Sequence, residues 1–165
     1  MKRFTGVASL LLAAGTFVAG CQSAIGEGDD VLDQVQHFGA DSQCGFSSPG
    51  LQFVESADAM PPMRGDARQQ AVEFLENEGG VVLLVALGER PTPGYGAQPE
   101  STDLTAEDEL ILTLASFTPD PGRMQAQVIT TPCVVYGLPQ TGWSKVTVAL
   151  DADGFPQTLP NPVGE

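Results

Sequence analysis

Histidine is almost missing from this 165-residue chain, which carries one, His37. A nucleophile–histidine catalytic pair needs an imidazole held rigidly beside a serine or cysteine. His37 falls in a polar N-terminal stretch that reads as solvated linker, so the sequence does not support that chemistry. A single histidine also cannot build a multi-histidine zinc site. Cations are scarce as well: seven Lys and Arg stand against 21 Asp and Glu, a net charge of −14. Such a surface repels phosphate backbones and excludes nucleic acid as a partner. It repels anionic lipid too, so the surface itself does not hold the chain to a membrane. The apolar run Phe4 to Val18 is too short to span a bilayer comfortably. Among the many carboxylates, spacing singles out no pair suited to glycoside hydrolysis. Asp151-Ala152-Asp153-Gly154 has the start of a calcium loop. The position that should hold a bidentate Glu is Pro162, so the segment reads as a solvated turn. No catalytic residue, metal or cofactor is expected.

What is present begins at the N-terminus. Met1-Lys2-Arg3 is a basic n-region and Phe4 to Val18 an apolar h-region. Val18-Ala19-Gly20-Cys21 then resembles the lipobox of bacterial lipoproteins. The resemblance implies a signal peptide over residues 1–20, cleavage before Cys21 and acylation of Cys21. Cleavage removes two of the seven cations and no acid, so the mature chain is more acidic still. Several acyl chains hold a protein on a membrane where one does not. Gln22, in place of the Asp that commonly retains lipoproteins at the inner membrane, points to the outer membrane. Cys44 and Cys133 remain as an even pair in an oxidising compartment, where a disulfide is the default. Closing a loop of about 90 residues is worth roughly 4–5 kcal/mol in the chain-entropy model.

Composition divides the rest. Residues 21–42 are polar and small and read as a flexible tether. Residues 43–150 carry the apolar patterning of a single domain. Residues 151–165 read as a loose tail. One helix is expected at about 66–78, with Asp66 as cap, Gln69 completing a capping-box-like pair, and Ala67, Ala71, Phe74 and Leu75 on one face. Gly79-Gly80 ends it. The other elements read as strands. Val81 to Leu87 is a continuous apolar run, expected of a central strand covered on both faces. Leu51 to Glu55 and Cys133 to Leu138 are two more. Alternation marks Leu110, Leu112 and Leu114, then Met124, Ala126 and Val128, then Val146, Val148 and Leu150. The expected fold is mainly β, a sandwich or roll with one short helix.

The informative loop directly follows the central strand: Gly88-Glu89-Arg90-Pro91-Thr92-Pro93-Gly94-Tyr95. Two prolines fix φ and the glycines permit tight turning, so the loop can be stiff. It presents Arg90, Thr92, Gly94 and Tyr95, and Arg and Tyr are residue types that anchor interfaces. A plain β-connection with Tyr95 folded into the core is the simpler alternative. The run from Val82 to Tyr95 resembles the signature of the PrcB-like protease-complex subunit family, with Pro93 in place of a small residue. A second block of that family also matches, from Thr118-Pro119-Asp120-Pro121-Gly122 through Met124, Gln127, Val128, Thr130 and Thr131 to Pro132. The resemblance implies a non-enzymatic subunit that binds and stabilises an exported protease. Pro91-Thr92-Pro93-Gly94-Tyr95 also resembles the cleft-entering loop of chagasin-like protease inhibitors, with Arg90 where those have Asn. Two other functions stay open: such an inhibitor, and a structural or ligand-binding envelope lipoprotein.

Overall fold

The computed structural model describes residues 27–163, so the signal segment and Cys21 lie outside the described residues. The chain runs through helix α1 (Glu27–Gln34), strands β1 (Gln36–Asp41) and β2 (Pro49–Val54), and a single 3-10 turn at Ala57–Ala59. Helix α2 (Asp66–Asn77) follows, then β3 (Val81–Leu87), β4 (Gly96–Leu104), β5 (Glu109–Phe117), β6 (Cys133–Leu138), β7 (Lys145–Leu150) and β8 (Gln157–Pro160). Two four-stranded sheets form, in the orders β1-β6-β3-β2 and β4-β5-β7-β8. All neighbours are antiparallel except β5 and β7, which are parallel. The fold is mainly β, as the patterning indicates.

The first sheet is the middle of three layers. Val81, Leu83, Val85 and Leu87 of β3 pack with Leu110, Leu112, Val146 and Val148 of the second sheet. On the opposite face Val82 and Leu84 pack with Ala67, Ala71 and Phe74 of α2. Every residue of β3 is therefore buried, which is why it is apolar throughout rather than alternating. The second sheet has one covered face, and β5 and β7 alternate accordingly. Strand β4 pairs only with β5 and bulges between Pro99 and Ser101. A proline is tolerated there because an edge strand can spare one donor.

Several expectations need correcting. The stretch expected to be a tether contains α1 and β1, and β1 pairs with β6 over Gln36–Asp41. His37 is thus a strand residue, its ring 5.3 Å from that of Tyr136. The stretch expected to be a loose tail contains β8, which pairs with β7. Short, polar edge strands bury too little apolar surface to show in a hydrophobicity pattern. The alternating segment Met124 to Val128 is no strand, because no neighbour offers it an edge; its Met124 and Val128 are exposed.

Helix α2 starts as expected but is capped differently. Gly65 holds the cap position and has no side chain to offer. The carboxylate of Asp41, at the end of β1, accepts from the backbone N–H of Arg64 and of Gly65, each at 2.8 Å. Its other oxygen accepts from the Gln43 N–H at 2.8 Å. A strand residue thus fixes the chain's entry into α2, at the cap residue and the one before it.

Candidate functional site

The two motif-bearing segments meet at one end of the first sheet. Leu87 of β3 and Cys133 of β6 mark that end; Val81 and Leu138, paired with each other, mark the opposite one. After β3 the chain turns at Gly88, whose φ is +78°, and a Cβ there would fall 2.8 Å from Pro49 Cδ. Only glycine suits both the backbone angle and the approach. Glu89 N–H then donates to the Ser47 carbonyl at 3.1 Å. Arg90 forms an antiparallel bridge with Thr130, its N–H donating to Thr130 O at 2.8 Å and its carbonyl accepting at 2.9 Å. The Thr130 hydroxyl donates to the Thr92 carbonyl at 3.2 Å. Gly94 has φ +98° and lies against Pro119, which a Cβ would approach to 2.9 Å. The loop from Gly88 to Tyr95 is therefore fastened at both ends to the segment that links β5 to β6.

That segment is fastened in turn. Thr131 bridges to Gln43, its N–H donating to Ser42 and its carbonyl accepting from Cys44 at 2.9 Å. The Cys44–Cys133 disulfide joins the loop after β1 to the start of β6, with Cα atoms 6.0 Å apart and both residues buried. The expected pairing of the cysteines is present. It braces the base on which both segments stand.

The end of β5 and the segment after it expose large apolar side chains among polar ones such as Asp120 and Arg123. Phe117 is 47% exposed, Val128 53%, Ile129 63% and Met124 fully exposed. Scattered apolar residues need no explanation, but four within 13 positions of one connection form a candidate contact patch. The expectation from the sequence stopped at Arg90, Thr92, Gly94 and Tyr95. It missed Met124 and Val128 because both were assigned to a strand.

Tyr95 is neither fully core nor free. It is half-buried, as is Arg90, whose guanidinium carbon stands 5.8 Å from the Tyr95 ring centre. Guanidinium over an aromatic face is favourable and stiffens both side chains. The two line a cavity of about 430 Å³ together with residues from the ends of β5 and β7 and the turn after β7. Thr92 is half-buried and contributes its carbonyl to the bracing; Gly94 is exposed.

The arrangement is a two-sheet β domain with a helix packed on one face and two linked loops at one end. Residues 81–139 match the family model described as PrcB C-terminal, the family that the two motifs resemble. The match runs from β3 through β6 and so takes in both loops. No curated protein and no solved structure matches the chain.

Proposed function

We propose that this protein is a non-enzymatic, membrane-tethered binding subunit whose partner is an exported protease that it binds and stabilises. The observation that carries this reading is the convergence of the two family segments into one braced surface. A loop held by prolines, by hydrogen bonds at Glu89, Arg90 and Thr92, and by the packing of Gly94 on Pro119 loses little conformational entropy on binding. Phe117, Met124 and Ile129 supply apolar area beside it, and Arg90 and Tyr95 supply anchor-type side chains. Tethering to a membrane would come from acylation of Cys21, with Gln22 favouring the outer membrane facing the periplasm.

The test is partner capture by the tagged, lipidated protein from envelopes, comparing the natural chain with an Arg90→Ala, Tyr95→Ala double mutant. Capture should weaken by about 1–3 kcal/mol per anchor while thermal unfolding changes little. A stable double mutant with undiminished capture contradicts this loop as the contact, and failure of the natural chain to capture a protease contradicts the reading itself. Inhibition of the captured protease by the purified domain would instead favour the chagasin-like alternative.

A further inference from the structure

The edge strands of the two sheets are not alike. An edge offers a row of unpaired N–H and C=O groups to any extended chain, and folds blunt it with a bulge, a proline or a charge. Strand β1 is bulged between His37 and Gly39 and ends in Asp41. Strand β4 is bulged at Pro99 and carries Glu100 and Asp103. Strand β8 has only four residues and ends in Pro160, with Pro156 just before it. Strand β2, Pro-Gly-Leu-Gln-Phe-Val, has none of these guards along its length. It pairs with β3 in unbroken register, holds no charge, and its one proline opens the strand.

Register fixes which backbone groups of β2 are free. Leu87 N–H donates to Pro132 O, on the β6 side of β3. Backbone groups alternate in direction along a strand, so Leu83 and Val85 also face β6, while Leu84 and Ala86 face β2. Gln52 and Gly50, opposite Leu84 and Ala86, therefore make the ladder. Leu51 and Phe53 point their N–H and C=O groups outward, where no hydrogen-bond partner stands among the described residues. Their side chains are half-buried against the core between the sheets, whereas Gln52 on the other face is exposed. An incoming strand would meet apolar neighbours at alternate positions only. Exposed acids mark both ends of the edge. Glu55 follows Val54, and Asp153 precedes Gly154, which lies against Pro49. Pro49 also lies against Gly88, where the Arg90–Tyr95 loop begins, so the edge continues the loop surface. A second copy of the chain fits badly. Antiparallel pairing of two β2 strands brings Glu55 of each copy to the Asp153 end of the other, between chains of net charge −14.

We propose that the free edge of β2 accepts an extended segment of a partner polypeptide as a fifth strand, a segment with apolar residues at alternate positions and Lys or Arg at its ends. Main-chain hydrogen bonds to Leu51 and Phe53 hold it, and the alternate side chains select it. This deepens the binding-subunit reading and rests on it for the identity of the segment's owner.

Amide hydrogen exchange of the full lipidated chain in detergent micelles, resolved by residue, tests it. The probe is acetyl-Lys-Val-Thr-Val-Thr-Val-Lys amide. Controls carry Asp in place of both Lys, or N-methyl groups on every Val, or on every Thr. Without peptide, the Leu51 and Phe53 amides should exchange fast and the Gln52 amide slowly. Saturating probe should slow Leu51 and Phe53 at least about ten-fold. The Asp form should bind at least about three-fold more weakly. One N-methylated form should lose binding and the other keep it: loss with methylated Val marks an antiparallel strand, loss with methylated Thr a parallel one. Unchanged exchange at Leu51 and Phe53, or equal behaviour of the two N-methylated forms, overturns the proposal. So does protection that grows with protein concentration in the absence of peptide, which would make a second copy the occupant. If the probe fails while Arg90→Ala, Tyr95→Ala still loses a captured protease, only the edge proposal falls. If the probe adds to the edge while the natural chain captures no protease, the binding-subunit reading falls and the strand-accepting edge stands.

Discussion

At the scale of single residues, Asp41 shows how position overrides composition. In the sequence it ends a polar stretch and resembles any solvated acid. In the fold it is 9% exposed and ties the loop after β1 to the start of α2. Burial alone would raise its pKa, but the N–H groups of Gln43, Gly65, Arg64 and Ser42 together hold it below the ordinary 3.8. Hydrogen bonds to the ionised form have that effect. Because the folded value is depressed, the unfolded chain binds the proton more readily. The stability that Asp41 contributes is complete above about pH 4 and is lost as pH falls through the folded value. Asp41→Ala should cost about 1–3 kcal/mol at neutral pH, since the N–H groups of Gln43, Arg64 and Gly65, each at 2.8 Å, lose their acceptor. Denaturant unfolding of both proteins across acid pH checks this. The variant should show a flatter acid dependence, and parallel curves would contradict the role given to the carboxylate.

At the scale of elements, legibility in the sequence followed burial. Strand β3 was readable because both its faces are covered, and β5 and β7 because one face is. The helix over Asp66–Asn77 showed in the spacing of Ala67, Ala71 and Phe74, all three buried in the structure. Strand β4 is exposed along most of its length and contains Pro99, so nothing in its composition announced it. The same holds for β8. The loop from Gly88 to Tyr95 was legible as a feature, through its prolines and glycines. Its bracing by Thr130 and its cavity were not, because both depend on residues more than 20 positions away in sequence that the fold brings alongside. The disulfide acts at this scale too, fastening the loop after β1 to β6 across a sequence separation of 89. Replacing Cys44 and Cys133 by Ser should lower stability by about 2–5 kcal/mol, measured as a fall in the denaturant midpoint. An unchanged midpoint would show that the base of the site holds without it.

At the scale of the whole molecule, the two ends of the domain carry different elements. Helix α1 precedes Gln36, which pairs with Gly137 near the end marked by Val81 and Leu138. Its Val31 packs beside Gly142. The two linked loops stand at the opposite end, about 20 Å away along the six-residue β6. Acylation at Cys21, only a few residues before Glu27, would anchor the α1 end and leave the loops facing away from the membrane. Cys21→Ser should abolish lipid labelling and leave the precursor uncleaved at Gly20; unchanged processing would contradict the anchor.

The polarity of the molecule gives the most direct test of the binding surface. A photo-activated cross-linker placed at Met124, on the loop end, and separately at Thr141, on the α1 end, reports which end touches a partner in intact envelopes. Both positions are exposed. The account predicts a discrete cross-linked protein from position 124 that is absent from position 141 and is lost when Arg90 and Tyr95 are both changed to Ala. Cross-linking from position 141 alone would place the partner at the wrong end and contradict the account.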